Sequence, residues 1–72
     1  HASERVPFIE GYAHTGQWTR AEELTYEALE INQFMGPMLC EAWERIEAIT
    51  EASAQRDDII AEINAQMDCD LY

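Results

Sequence analysis

Lysine is absent from this 72-residue chain, and four arginines are all that oppose fifteen aspartates and glutamates, giving a formal net charge of -11 at pH 7. A surface of that sign repels phosphate backbones and anionic membranes, so direct nucleic-acid or membrane binding is disfavoured, and it draws in basic proteins. Acid-rich, lysine-poor surfaces also serve solubility alone, which is the plainer reading of the same count. Glycine is confined to Gly11, Gly16 and Gly36, each isolated, so the chain has no Gly-rich phosphate loop. Cysteine is confined to Cys40 and Cys69, neither of which has a second Cys or a His at ligand spacing. That is no zinc pattern and no disulfide framework, and free buried thiols are the expectation. No apolar run approaches the ~20 residues of a membrane span and no signal-peptide core appears, so a soluble, intracellular (cytoplasmic) protein is expected.

A chain this short makes one domain at most, here residues 1–72, and its core is marginal. The opening His1-Ala2-Ser3 is compatible with a tag remnant on a domain cut from something longer. With 47% hydrophobic residues, disorder is excluded. The periodicity is helical throughout, and it predicts an all-α bundle of three to four helices: a hairpin of residues 4–14 and 19–32, then a long or once-broken helix over residues 37–68. In the first helix Val6, Phe8, Ile9, Tyr12 and Ala13 are apolar, Pro7 falls in the first turn, and Gly16 suits a left-handed cap. Thr19 and Glu22 form a capping-box pattern for the second helix, whose apolar stripe is Ala21, Leu24, Ala28 and Ile31.

From residue 37 to 67 neither Gly nor Pro intervenes, and Leu39, Ala42, Ile46, Ile49, Ser53, Arg56, Ile60, Ile63 and Met67 alternate by three and four. Such spacing favours one continuous helix, with the polar seam at Ser53 and Arg56 left for solvent or for a second copy in a homodimer through the 37–67 seam. A break near residues 53–57, with Asp57-Asp58 capping a new helix, is the competing reading. The cysteines discriminate: continuity puts Cys40 and Cys69 roughly 43 Å apart, whereas a hairpin brings them to one end, where a disulfide could close.

Around the first hairpin the chain resembles a single tetratricopeptide or pentatricopeptide repeat. The residues that carry the likeness are Phe8 through Trp18, with Tyr12, Gly16 and Trp18, and then Ala21, Leu24, Ala28 and Leu29. The likeness covers about a third of the chain and implies a helical hairpin with a capping helix, as at the end of a longer array. Thr25 and Gln33 depart from the tetratricopeptide pattern, which has an aromatic and a proline there. Val6 near the pentatricopeptide base-reading position cannot hydrogen-bond a base, so RNA binding is not carried over. The stretch from Glu22 to Asn32 is also similar to a ubiquitin-interacting helix, provided that Ala28 faces outward.

Catalysis finds little support. The carboxylates fall on helix backs, where they lack the paired, differently tuned environments of general acid–base work. No Ser, His and acid set exists. Glu10 and His14, four apart, are too few to hold a metal and read as a salt bridge at a helix C-terminus. No enzyme activity, cofactor or metal is expected. The more informative constellation is Glu44, Glu47 and Glu51, an acidic row beside Trp43, answered within its turn only by Arg45, which is expected to pair with Glu41. An apolar anchor beside a charged row suits docking of a basic surface, although Trp43 also reads as the core residue that holds the third helix. Glu23, Glu27 and Glu30 give the second helix an acidic back and complete the expected partner-binding set. The expected function is a non-catalytic interaction module or adaptor for a basic, partly hydrophobic protein surface. The alternative is a small phage- or plasmid-type inhibitor whose carboxylates mimic nucleic-acid phosphates.

Overall fold

Both prolines mark helix starts. Pro7 and Pro37 each fall in a first turn, where a missing N–H has no intrahelical carbonyl to serve. In the computed structural model, which describes residues 1–69, the chain forms a 3-10 turn (Ala2–Arg5), α1 (Val6–His14), α2 (Trp18–Ile31), a second 3-10 turn (Gln33–Met35), α3 (Gly36–Ile49) and α4 (Ala54–Met67). No strand occurs among the described residues, and the architecture is the expected all-α bundle. The first three residues belong to the folded unit: Ala2 is buried in the core and the His1 side chain caps the first 3-10 turn.

Gly16 makes the α1–α2 turn possible, since its φ of 78° lies in the left-handed region that costs a side-chain-bearing residue about 1–2 kcal/mol. Thr15 supports the turn by donating its hydroxyl to the carbonyls of Gly11 and Tyr12. α2 starts two residues earlier than the capping-box pattern implies. Trp18 is buried and already helical, Gln17 takes the cap position without a side-chain bond, and Thr19 is therefore past the position from which it could cap. Glu22, the other half of the expected box, instead accepts from the Tyr26 hydroxyl at 3.1 Å.

The buried face of α2 is Trp18, Ala21, Leu24, Thr25 and Ala28, and Ile31 of the expected stripe is 56% exposed. Thr25 displaces it because Thr25 has work inside. Its hydroxyl donates to the Ala21 carbonyl at 2.9 Å and accepts the Trp43 indole N–H, also at 2.9 Å, so both polar atoms are satisfied in the core. Trp43 packs against Trp18 with ring centroids 6.3 Å apart. The small Ala21 and Ala28, both fully buried, let neighbouring helices approach. With Ala28 enclosed, a ubiquitin-interacting surface centred on it is ruled out.

The chain beyond residue 37 is broken, which corrects the expectation of continuity. α3 ends at Ile49 and α4 begins at Ala54, and the longest dimension of the molecule, 29 Å, could not hold a helix of roughly 46 Å. Thr50 and Ser53 are both extended. Ser53, and not Asp57-Asp58, caps α4, its hydroxyl accepting from the Arg56 N–H at 3.1 Å. Arg56 explains why the seam turns polar here. Its guanidinium folds back over the end of α3, donating to the carbonyls of Glu47 (3.0 Å) and Thr50 (2.8 Å), two of the groups a helix C-terminus leaves unsatisfied. Asp57 balances the charge from 2.9 Å. Ile49, counted in the seam, is 60% exposed because the helix stops there.

Folded back in this way, α4 buries Ile59, Ile60, Ile63 and Met67 against α2 and α3. The seam residues Leu39, Ala42, Ile46, Ile60, Ile63 and Met67 are thus buried within one chain. Cys40, in the first turns of α3, and Cys69, just past α4, meet with Cα atoms 5.6 Å apart and form a disulfide, in place of the expected free thiols.

Candidate partner-binding groove

The antiparallel α3 and α4 leave a groove of about 530 Å³ between them. Trp43 and Ile60 form its floor, Asn64 stands on the α4 side, Pro37 and the Cys40–Cys69 bridge lie at one end, and Glu41, Glu44 and Glu47 run along the α3 side. The acidic row arises from the helical repeat: residues three apart advance about 4.5 Å along the axis and stay on neighbouring faces. None of the three carboxylates has an ion-pair partner among the described residues.

Three of the four arginines are engaged elsewhere. Arg45 reaches across to Glu10 of α1 at 3.0 Å, not to Glu41 as its sequence spacing suggests, because a tertiary partner on the other flank of α3 is closer. That pairing also takes Glu10 away from His14, so the expected Glu10–His14 bridge does not form. Arg20 pairs with Glu23 at 3.0 Å and approaches Glu27 at 4.0 Å, and Arg56 serves the α3 terminus. The structure therefore separates the expected binding residues. Glu44 and Glu47 line the groove; Glu51 lies exposed in the α3–α4 linker; Glu23 and Glu27 are partly neutralised on α2; and Glu30 borders a separate depression with Tyr26, Leu29 and Gln33. Trp43 is only 1% exposed, so of its two readings the core residue that holds the third helix is the one realised, and its ring is committed to Thr25 and Trp18 at the floor of the groove. Glu41, Ile60 and Asn64 join the site only through the α3–α4 hairpin. No protein-family model, curated protein or solved structure matches this chain.

On the far side of α4, Glu22 of α2 is partly buried beside Glu62. Desolvation pushes its carboxyl above the ordinary range, the Tyr26 hydrogen bond pulls it back, and the Glu62 charge pushes it up further. The Tyr26 phenol is in turn held well above its usual value, by burial first and then by Glu22. A carboxyl whose folded-state pKa is raised binds its proton more tightly folded than unfolded. Its contribution favours folding below the ordinary carboxylate range and is lost as pH rises through the raised value. Glu22→Gln, which keeps an acceptor for Tyr26 without the charge, is expected to raise Tm at neutral pH and to make no difference in acid. A lower Tm for the variant in calorimetric scans at pH 7 would show that the carboxylate stabilises this interface.

No group of three or more His, Cys, Asp or Glu among the described residues is arranged to hold a metal ion. None of their helices is long and apolar enough to cross a membrane.

Proposed function

We propose that this protein is a non-catalytic binding module whose α3–α4 groove receives a basic, partly apolar segment of a partner protein. The observation that carries the reading is the groove row itself: Glu41, Glu44 and Glu47 border a concave surface between α3 and α4, and none of them has an ion-pair partner among the described residues. Peripheral charge of one sign accelerates encounter and sets register. The likeness of the first hairpin to a tetratricopeptide unit supports a module of this kind, with α3 and α4 capping the hairpin. The Cys40–Cys69 bridge supports an oxidising compartment in place of the cytoplasm, where thiols are kept reduced.

The test is a titration of the 15N-labelled oxidised protein with a short Arg- and Lys-bearing peptide that also carries a Leu or Phe. Shift changes are expected at Glu41, Glu44, Glu47, Ile60 and Asn64. Reversing Glu41, Glu44 and Glu47 together to Lys is expected to slow association about tenfold or more at low salt, whereas the same reversal at Glu23, Glu27 and Glu30 leaves it within about threefold. Equal effects of the two triple variants would mean that net charge, and not the groove, governs binding. The alternative, a phosphate mimic, relies on charge spread over the whole surface, and that result together with a steep loss of binding on adding salt would favour it.

A further inference from the structure

Helix α4 is attached to the fold differently from the other three. Those are tied to one another by directed contacts: Arg45 of α3 pairs with Glu10 of α1 at 3.0 Å, the Trp43 indole of α3 donates to Thr25 of α2 at 2.9 Å, and the Trp18 and Trp43 rings pack together. Between α4 and these helices no ion pair occurs among the described residues. α4 is held at its start by Arg56 on the carbonyls of Glu47 and Thr50, along its length by four apolar side chains, and at its end by the Cys40–Cys69 bridge.

Charge opposes that attachment. α4 carries three acids against Arg56, and it packs on α2, with four acids against Arg20, and on α3, with three against Arg45. Each of these helices is therefore net negative. Glu62 of α4 lies near enough to Glu22 of α2 for its charge to push that carboxyl up. Like charges repel across such an interface, with a reach of about 10 Å at ~0.1 M salt. A further load comes from Asp68, whose left-handed backbone (φ 50°) is costly for a residue with a side chain and carries the chain from α4 to Cys69.

The bridge is open to attack, since Cys40 and Cys69 are only half-buried and both line the groove. A thiolate of a dithiol reductant attacks one sulfur, forms a mixed disulfide and expels the other cysteine as a thiolate, which takes up a proton. The reductant's second thiol then displaces the first sulfur. Two electrons pass, both cysteines end as thiols and the dithiol ends as a disulfide.

We infer that the Cys40–Cys69 bridge is a redox latch on α4: closed, it holds the helix against like-charged neighbours, and opened by a dithiol it releases α4 while α1, α2 and α3 stay folded. α4 is then a locally unfolding unit whose detachment bares the faces of α2 and α3 that it covered. The latch works whatever occupies the groove. Salt screens the opposing charge, cutting its reach from about 30 Å at ~0.01 M to about 3 Å at ~1 M, and so substitutes in part for the bridge.

Two measurements on the whole chain test it. Reduction of the native protein by dithiothreitol, followed by thiol titration, is expected to stay first order in reductant. A rate that saturates would show that the sulfurs are reached only through unfolding and would overturn the latch. Amide hydrogen exchange of the reduced protein at ~0.01 M salt is expected to find α4 protected at least about tenfold less than α1, α2 and α3, and ~1 M salt is expected to raise α4 protection at least about tenfold. Cys40→Ser/Cys69→Ser should behave as the reduced protein does, without reductant present. Protection of α4 equal to that of the other helices, or lost from all four together, would overturn its release. Protection of α4 unmoved by salt would overturn the part assigned to charge.

Discussion

Reduction of the Cys40–Cys69 bridge is expected to lower the stability of this domain by about 3.5 kcal/mol. The bridge closes a loop of 29 residues, and the chain-entropy relation gives that figure for a loop of such a length. In a domain this small, 1 kcal/mol moves Tm by roughly 4–8 °C, so a fall of about 15–25 °C should follow. The effect is large because the bridge ties the ends of α3 and α4 at the point farthest from their linker. Elsewhere α4 is held by four apolar side chains, Ile59, Ile60, Ile63 and Met67, and by Arg56. Denaturant unfolding with and without reductant, and of Cys40→Ser/Cys69→Ser, measures it. Hydrogen exchange should quicken first in α4. A reduced protein as stable as the oxidised one would mean that the apolar residues alone fix α4 and that the bridge is dispensable to the groove.

Trp43→Ala is expected to cost about 3–5 kcal/mol, a large share of the roughly 4–11 kcal/mol that stabilises a domain of this size. The indole is the largest fully buried side chain, it packs on Trp18, and it bridges α3 to α2 through Thr25. Thr25→Val probes the polar half of the contact alone. It keeps the shape but leaves the indole N–H buried without an acceptor, at a cost of about 1–3 kcal/mol. Trp43→Phe removes the donor, and combining it with Thr25→Val should cost less than the two single changes added together, because neither polar atom is then stranded. Additive costs in that double-mutant cycle would refute the coupling.

Hairpin, turn and helix types were legible in the sequence because they rest on local chemistry. Gly16 is the residue that a left-handed turn selects, Pro7 and Pro37 sit where only a first turn tolerates them, and three-four spacing of apolar residues is a helix wherever it runs this long. Acidity was equally plain in the composition. The capping box of Thr19 and Glu22 failed because Trp18 is buried in the core and the helix already starts there, two residues before the pattern implies.

What only the tertiary structure decided is which regular pattern is cut and what faces what. The seam from Leu39 to Met67 keeps its spacing across the break, because the residues that interrupt it, Ser53 and Arg56, occupy seam positions while acting as caps: a serine hydroxyl for the start of α4 and a guanidinium for the end of α3. Spacing records position along a helix and not whether the helix continues, so the same letters read as continuity. Once α4 turns back, the consequences are collective. Cys40 meets Cys69, Trp43 becomes floor and not anchor, Arg45 finds Glu10 of α1, and Glu41 joins Glu44 and Glu47 along one groove while Glu51 is left in the linker. The cysteines are 29 positions apart and Arg45 and Glu10 are 35 apart, and no local periodicity encodes a partner at that distance.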